Sequence, residues 1–240
     1  MIRPGILSAN RRRSTGPSPE SDPHWNNVVL LMSFDDGEFL TDKSQSGHTF
    51  TNAGGAQNID GKFGRSFDPH AGYAYTPHSD DFYFTGEFCI ELWLMYEIYN
   101  QTGGIVSKYT AATGDRGWAF LCSIGQLLWY VSTDGSTATT LQSKDVGTLD
   151  QDIWYHYCLE RDSLNKVRSY VDGVMVDSAE ITGALNFNDS IPLKVGAYST
   201  ATSTSKAPYA NIDELRITKG VARYASDAGF IPPSEPFPAL

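Results

Sequence analysis

KVRSYVDGVMVDS, residues 166–178, carries the sharpest fold signal in the chain. Two β-rich runs, Lys166–Val171 and Val174–Ser178, flank the pair Asp172–Gly173. An Asp-Gly pair supplies the positive φ angles of a tight type I′ turn, so the stretch reads as a β-hairpin whose register the turn sets. The same idiom extends outward in both directions: short runs rich in Val, Ile, Tyr, Phe and Trp, separated by Gly, Asp, Asn, Ser and Thr clusters. Strands are expected at Val28–Phe34, His48–Thr51, Ser66–Phe67, Tyr73–Thr76, Phe88–Tyr96, Gly104–Lys108, Trp118–Ser123, Leu127–Thr133, Ala138–Ser143, Ile153–Arg161, Pro192–Ala197 and Tyr209–Thr218, besides the hairpin. No window of roughly 11 to 18 residues sustains a helical period, which limits helix to single turns at Asp80–Phe82 and Val221–Ala225. Many short strands without interleaved helices predict an all-β, two-sheet antiparallel sandwich.

Within FCIELWLMY (88–96), Phe88, Ile90, Leu92 and Leu94 share one face and Cys89, Glu91, Trp93 and Met95 the other. Both faces are largely apolar, as expected of a central strand, and a buried Glu91 then needs a partner. In IDELRITK, strict alternation sets Ile212, Glu214, Arg216 and Thr218 against Asp213, Leu215, Ile217 and Lys219, and the mixed faces predict an edge or partly exposed strand.

Lys and Arg total 18 against 28 Asp and Glu in 240 residues, a net charge of −10. A body this acidic repels phosphate backbones and disfavours nucleic-acid binding. No apolar run is long enough to span a bilayer, and Arg3, Pro4, Gly5 and Asn10 interrupt the apolar core a secretory signal needs, so neither a membrane partner nor a signal peptide is expected. The charge is uneven. Residues 1–26 hold four arginines against Glu20 and Asp22, net +2. They read as an extended basic arm whose Ile2, Arg3, Ile6, Leu7, Arg11, Arg12 and Arg13 are candidates to grip a partner. Residues 27–240 form the domain, with 231–240 as an extended Pro-rich tail pinned by Phe230 and Phe237.

Motifs of catalysis are missing. No Walker loop or nucleophile elbow occurs, and the nearest approach to a strand of alternating acids is Glu160-Arg161-Asp162, read as an exposed turn. Asp68, His70, His78, Asp80 and Asp81 read as polar loop decoration, and Cys89, Cys122 and Cys158 as buried free thiols. The chain is expected not to be an enzyme and to require no cofactor. Sugars need aromatic faces for their C–H surfaces, and Tyr99, Tyr109, Trp118, Tyr198 and Tyr209 are the candidates.

Several phrases occur in a telling order: SFDDG, then GKFGRSFDPHAGYAYTPHSDDFYFTGEFCIELWLMY, then DIWYHYCLERDSLNKVRSYVDGVMVDS, then NIDELRITKGVARYASDAGFIPPSEPFP. Together they resemble the laminin-G-like, concanavalin-A-like jelly rolls, over about Val28 to Pro238. The closing phrase is similar to that of many bacteriophage virion proteins. The resemblance implies a jelly roll built into a virion, as head decoration or tail component, with capsid or tail proteins as partners, homo-oligomeric in the particle and assembled in the host cytoplasm. It implies a structural Ca²⁺ held by Asp35 or Asp36 and Asp213, which tie the first and last strands. The alternative is a carbohydrate-binding module that adheres to host-surface glycans.

Overall fold

The computed structural model describes residues 21–97, 102–123, 126–145, 150–199, 204–206 and 209–239. After a 3-10 turn at Trp25–Asn27 come β1 (Val28–Met32), β2 (Thr51–Ala53), β3 (Gln57–Asp60), β4 (Arg65–Asp68) and β5 (Tyr73–Thr76). A second 3-10 turn, Asp80–Phe82, leads to β6 (Phe88–Tyr96), β7 (Gly103–Lys108), β8 (Trp118–Ser123), β9 (Gln126–Val131), β10 (Thr139–Asp145) and β11 (Trp154–Arg161). The last six are β12 (Lys166–Val171), β13 (Val174–Glu180), β14 (Leu193–Val195), β15 (Ala197–Ser199), β16 (Thr204–Lys206) and β17 (Ala210–Lys219).

These strands form two facing antiparallel sheets in a jelly-roll sandwich. One runs β13-β12-β11-β6-β17-β4-β3, with β1 also paired to β17; the other runs β10-β9-β8-β7-β14-β5-β2. Between them lies one continuous core. Phe88, Ile90, Leu92 and Leu94 of β6 face Trp118, Phe120 and Cys122 of β8 and Trp129 of β9 across the layers, and all are buried. At the Asp172–Gly173 turn both residues take positive φ, 48° and 74°, as the hairpin requires.

Four expectations need correction. Strand β17 lies between β6 and β4, not at an edge, and is buried as far as Thr218. A β-bulge interrupts its pairing with β6 between Asp213 and Arg216, with Glu214 at φ 49°. The extra residue shifts the alternation, so Ile212, Leu215 and Ile217 all enter the core. Val221–Ala225 is not helical, and the expected strand at Pro192–Ala197 breaks at Gly196 into β14 and β15. Glu160 and Arg161 are fully buried at the end of β11, so only Asp162 belongs to the turn.

The chain crosses the outside of the eight-stranded sheet twice. Asp22 pairs with Arg216 at 3.1 Å and with Arg223 at 2.7 Å, fastening the start of the described chain. Residues 220–239 return as a strap. Phe230 stacks on Tyr224 with ring centroids 3.5 Å apart, and Phe237 packs with Val28, Leu31 and Trp25 under the Arg216 guanidinium. The expected grip residues Ile2, Arg3, Ile6, Leu7 and Arg11–Arg13 lie outside the described residues.

Candidate functional site

The outer face of the seven-stranded sheet carries an aromatic patch. Pairing registers set Tyr75, Lys194, Ser107, Ala119 and Tyr130 in one row across β5, β14, β7, β8 and β9. The β15–β16 hairpin leaves the sheet and folds back over this face. Gly104 permits the approach, because a Cβ there would lie 2.3 Å from the Ala197 carbonyl carbon and the Tyr198 nitrogen. The Ser107 hydroxyl donates to the Ala197 carbonyl at 2.8 Å, and the Ala111 N–H donates to the Ser199 carbonyl at 2.9 Å.

The hairpin brings Tyr198 to Tyr109 at 6.2 Å between centroids, with Tyr130 6.0 Å from Tyr109 on the other side. Buried Leu121, Leu128 and Ala119 form the floor, and Tyr130 and Tyr198 stay half-exposed. Burial raises the Tyr109 hydroxyl, offset in part by the adjacent Arg116. Arg116 donates to the Ser136 carbonyl at 2.6 Å, while its buried Nε has no hydrogen-bond partner. Asp115 and Asn188 hydrogen-bond each other beside the patch.

Of the candidate aromatics, the structure brings together Tyr109 and Tyr198. Trp118 is a correction: it points into the core at 1% exposure and its indole N–H donates to the Phe82 carbonyl at 3.2 Å. Alternation along β8 turns Ala119 and Leu121 outward and Trp118 and Phe120 inward. Tyr209 sits just before β17 of the other sheet, its ring centroid 3.8 Å from that of His70. Tyr99 lies outside the described residues. Tyr130 was missed, although its alternation with the core residues Trp129 and Val131 along QLLWYV marks it as outward.

A second site is acidic. Asp213 accepts from the Phe63 N–H at 2.9 Å and the Glu214 N–H at 2.8 Å, and Asp35 accepts from the Arg65 N–H at 3.1 Å. The bulge turns Glu214 so that its Oε2 accepts from the Phe237 N–H at 2.8 Å, leaving a buried Oε1 with no hydrogen-bond partner. Burial, with repulsion from Glu214 and Asp35, pushes Asp213 up to about 8, and burial with repulsion from Asp35 pushes Glu214 up to about 7. The cluster is short of positive charge, with Lys43 3.8 Å from Asp35. Asp36 is a correction: at 84% side-chain exposure it faces solvent and a 3.5 Å contact with Arg65, not the cluster. Oxygen donors of this kind suit a hard cation such as Ca²⁺, but the carboxylate oxygens of Asp35, Asp213 and Glu214 do not all come within 4.8 Å of one another, so the three acids are not gathered around one point. Asp35, Asp213 and the orphaned Glu214 Oε1 are the groups that would have to close in on such an ion.

Beneath the strap, Glu91 of β6 has the partners its burial demands. It accepts from Arg216 at 2.9 and 2.8 Å and from the Tyr224 hydroxyl at 2.8 Å, and lies 3.2 Å from His156. Burial alone would raise it; Arg216, His156 and Arg223 instead hold it well below the usual carboxylate range. Glu160 accepts from the Tyr170 hydroxyl at 2.9 Å and the Tyr224 N–H at 3.0 Å, with a further bond from the Ala225 N–H. Cys89, Cys122 and Cys158 are buried and not joined in disulfides, and burial raises the Cys89 and Cys158 thiols. Neither is an activated nucleophile.

Residues 68–224 match the profile of the concanavalin A-like lectin/glucanases superfamily. The chain belongs to this superfamily. Solved structures similar to this concanavalin A-like chain include the binding domain of Paraclostridial Mosquitocidal Protein 1, with a TM-score of 0.64 at 14% identity over 83% of this chain and 50% of that one. The botulinum neurotoxin serotype G binding domain aligns with a TM-score of 0.62 at 17% identity over 82% of this chain and 49% of that one. The botulinum neurotoxin DC binding domain, solved in complex with SialylT, aligns with a TM-score of 0.62 at 14% identity over 82% and 49%. The chain thus spans about half the length of these structures, and at such identities the likeness is one of fold. No curated protein sequence matches it.

Proposed function

We propose that this concanavalin A-like chain is a non-enzymatic binding module of a bacteriophage particle, holding host-surface glycan on the outer face of its seven-stranded sheet. The observation that carries the binding half is the Tyr109–Tyr130–Tyr198 cluster, two of whose rings are half-exposed over an apolar floor. Stacked against a sugar's C–H face, such rings bury apolar surface on both partners, and the Asp115–Asn188 pair offers polar atoms for hydroxyls. A binding domain of the same fold was solved with SialylT, which is in keeping with sugar recognition. The non-enzymatic reading is supported by Glu91 and Glu160. They face outward from neighbouring strands, yet both are fully buried under the strap, out of reach of a glycan, and hydrogen-bonded by arginine, tyrosine and strap N–H donors.

The virion setting rests on the closing phrase NIDELRITKGVARYASDAGFIPPSEPFP and its likeness to phage structural proteins. In that setting the basic arm attaches the module to capsid or tail proteins, in several copies per particle. The test of the binding half is a glycan array probed with wild type, Tyr130→Ala and Tyr198→Ala, with calcium present. Each half-exposed ring is expected to contribute about three- to tenfold in affinity, with melting unchanged. An array blank for wild type, or equal binding by both variants, overturns the assignment of this face.

A further inference from the structure

Under the strap, away from both sites described above, Cys89, Cys158 and Glu160 present two sulfurs and a carboxylate oxygen that all lie within 4.8 Å of one another. Among the described residues this is the one group of three metal-ligating side chains so arranged. We propose that Cys89, Cys158 and Glu160 form a buried site for a thiophilic divalent ion of the zinc and cadmium class.

Strand pairing builds the site. Cys89 on β6 lies opposite Glu160 on β11, and Glu91 lies opposite Cys158, so the two cysteines are diagonal neighbours on one face. Their sulfurs are 3.5 Å apart. A tetrahedral zinc with bonds of about 2.3 Å to sulfur sets two thiolates roughly 3.8 Å apart, a spacing reached here by small rotamer adjustments. Glu160 approaches from the side. Its Oε1 accepts from Tyr170 and Ala225 and its Oε2 from Tyr224 alone, which leaves one lone pair of Oε2 free to ligate. Those three donors fix the carboxylate as outer partners fix ligands in metal sites.

The setting is closed. Tyr170, Met175, Tyr224 and Phe230 pack on the two cysteines, and all three ligands are fully buried. An ion therefore enters as the chain folds, before residues 220–239 close, and the strap then retains it. Two thiolates balance the ion's charge, so no unpaired charge is added to the interior. The sulfur ligands separate this site in chemistry from the all-oxygen acids Asp35, Asp213 and Glu214.

The test is refolding of the full chain from denaturant with cadmium, followed by desalting. Cadmium content is measured by elemental analysis and thiolate ligation by its ultraviolet charge-transfer band. One equivalent with the band is expected for wild type and Cys122→Ser. Cys89→Ser and Cys158→Ser are expected to retain no cadmium and lose the band, and Glu160→Gln to release it at lower chelator concentration while keeping both thiols. Wild type that refolds without cadmium, or cadmium that stays in Cys89→Ser, overturns the proposal. Refolding is run under a phosphine reductant, so that air oxidation of the pair to a disulfide does not mimic an absent site.

Discussion

At the scale of single residues, burial has opposite consequences for the acids on the eight-stranded sheet. Glu91 is buried against two arginines, Tyr224 and His156 and stays ionised. Asp213 and Glu214 are buried against each other and Asp35, and their carboxyls rise to about 8 and about 7. A carboxyl whose pKa is raised on folding contributes stability that is present below its unfolded value and lost as pH climbs through its folded value. Without metal, the protein is therefore expected to lose stability from about pH 4 to pH 8 on account of these two groups. The Glu91 contribution runs the other way and fades only as pH falls below the unfolded carboxylate range. A cation at the cluster stabilises the ionised acids, so calcium is expected to raise Tm at pH 8 and much less at pH 5. Asp213→Asn with Glu214→Gln is expected to flatten the pH dependence in chelator and remove the calcium effect. Thermal melts at the two pH values, with calcium or chelator, check this; a calcium response equal at both would exclude the cluster as its source.

At the scale of elements, the parts legible in the sequence were those where alternation runs unbroken. Phe88–Tyr96, Tyr73–Thr76, Trp118–Ser123 and Lys166–Val171 form strands over the residues read for them, and Phe88–Leu94 sort onto two faces as alternation requires. Where the backbone departs from that period, pattern reading fails for a physical reason. The single added residue at Glu214 reverses the faces of half of β17, and so hid both its central position and the third member of the acidic cluster. Tyr198 was legible as an aromatic outside the core, but its meeting with Tyr109 depends on the β15–β16 hairpin folding over Gly104, a contact between residues far apart in sequence. Gly104→Ala is expected to displace that hairpin, because the added methyl meets backbone rather than a movable side chain. The cost should be about 1–3 kcal/mol in urea denaturation, as for overpacked sites. Because the hairpin positions Tyr198, glycan affinity should fall at least as far as in Tyr198→Ala, with circular dichroism unchanged. A Gly104→Ala chain that binds like wild type would mean the hairpin does not shape the face.

At the scale of the whole molecule, the charge is divided by position. Residues 1–20 hold Arg3 and Arg11–Arg13 against Glu20, net +3, so the remaining chain carries −13 of the total −10. The described body is closed at its start by residues that follow this segment. Asp22 is already fastened to Arg216 and Arg223, and Trp25 packs with Val28, Leu31 and Phe237. Deletion of residues 1–20 is therefore expected to leave Tm within a degree or two of the full chain, because the Asp22 and Trp25 fastenings stay in place. Attachment should respond quite differently. A short cationic segment meeting an acidic protein surface acts through exposed charges, whose attraction weakens as the Debye length shrinks to about 10 Å at 0.1 M salt and less above it. Full-length chain added to particles lacking it is expected to bind at low salt and to release progressively as salt rises, whereas the truncated chain should fail to bind at either. The measurement is copies per particle by quantitative gel after sedimentation across a salt series. Normal occupancy by the truncated chain would place attachment on the folded body, and salt-independent binding of the full chain would assign it to Ile2, Ile6 and Leu7 rather than to the arginines.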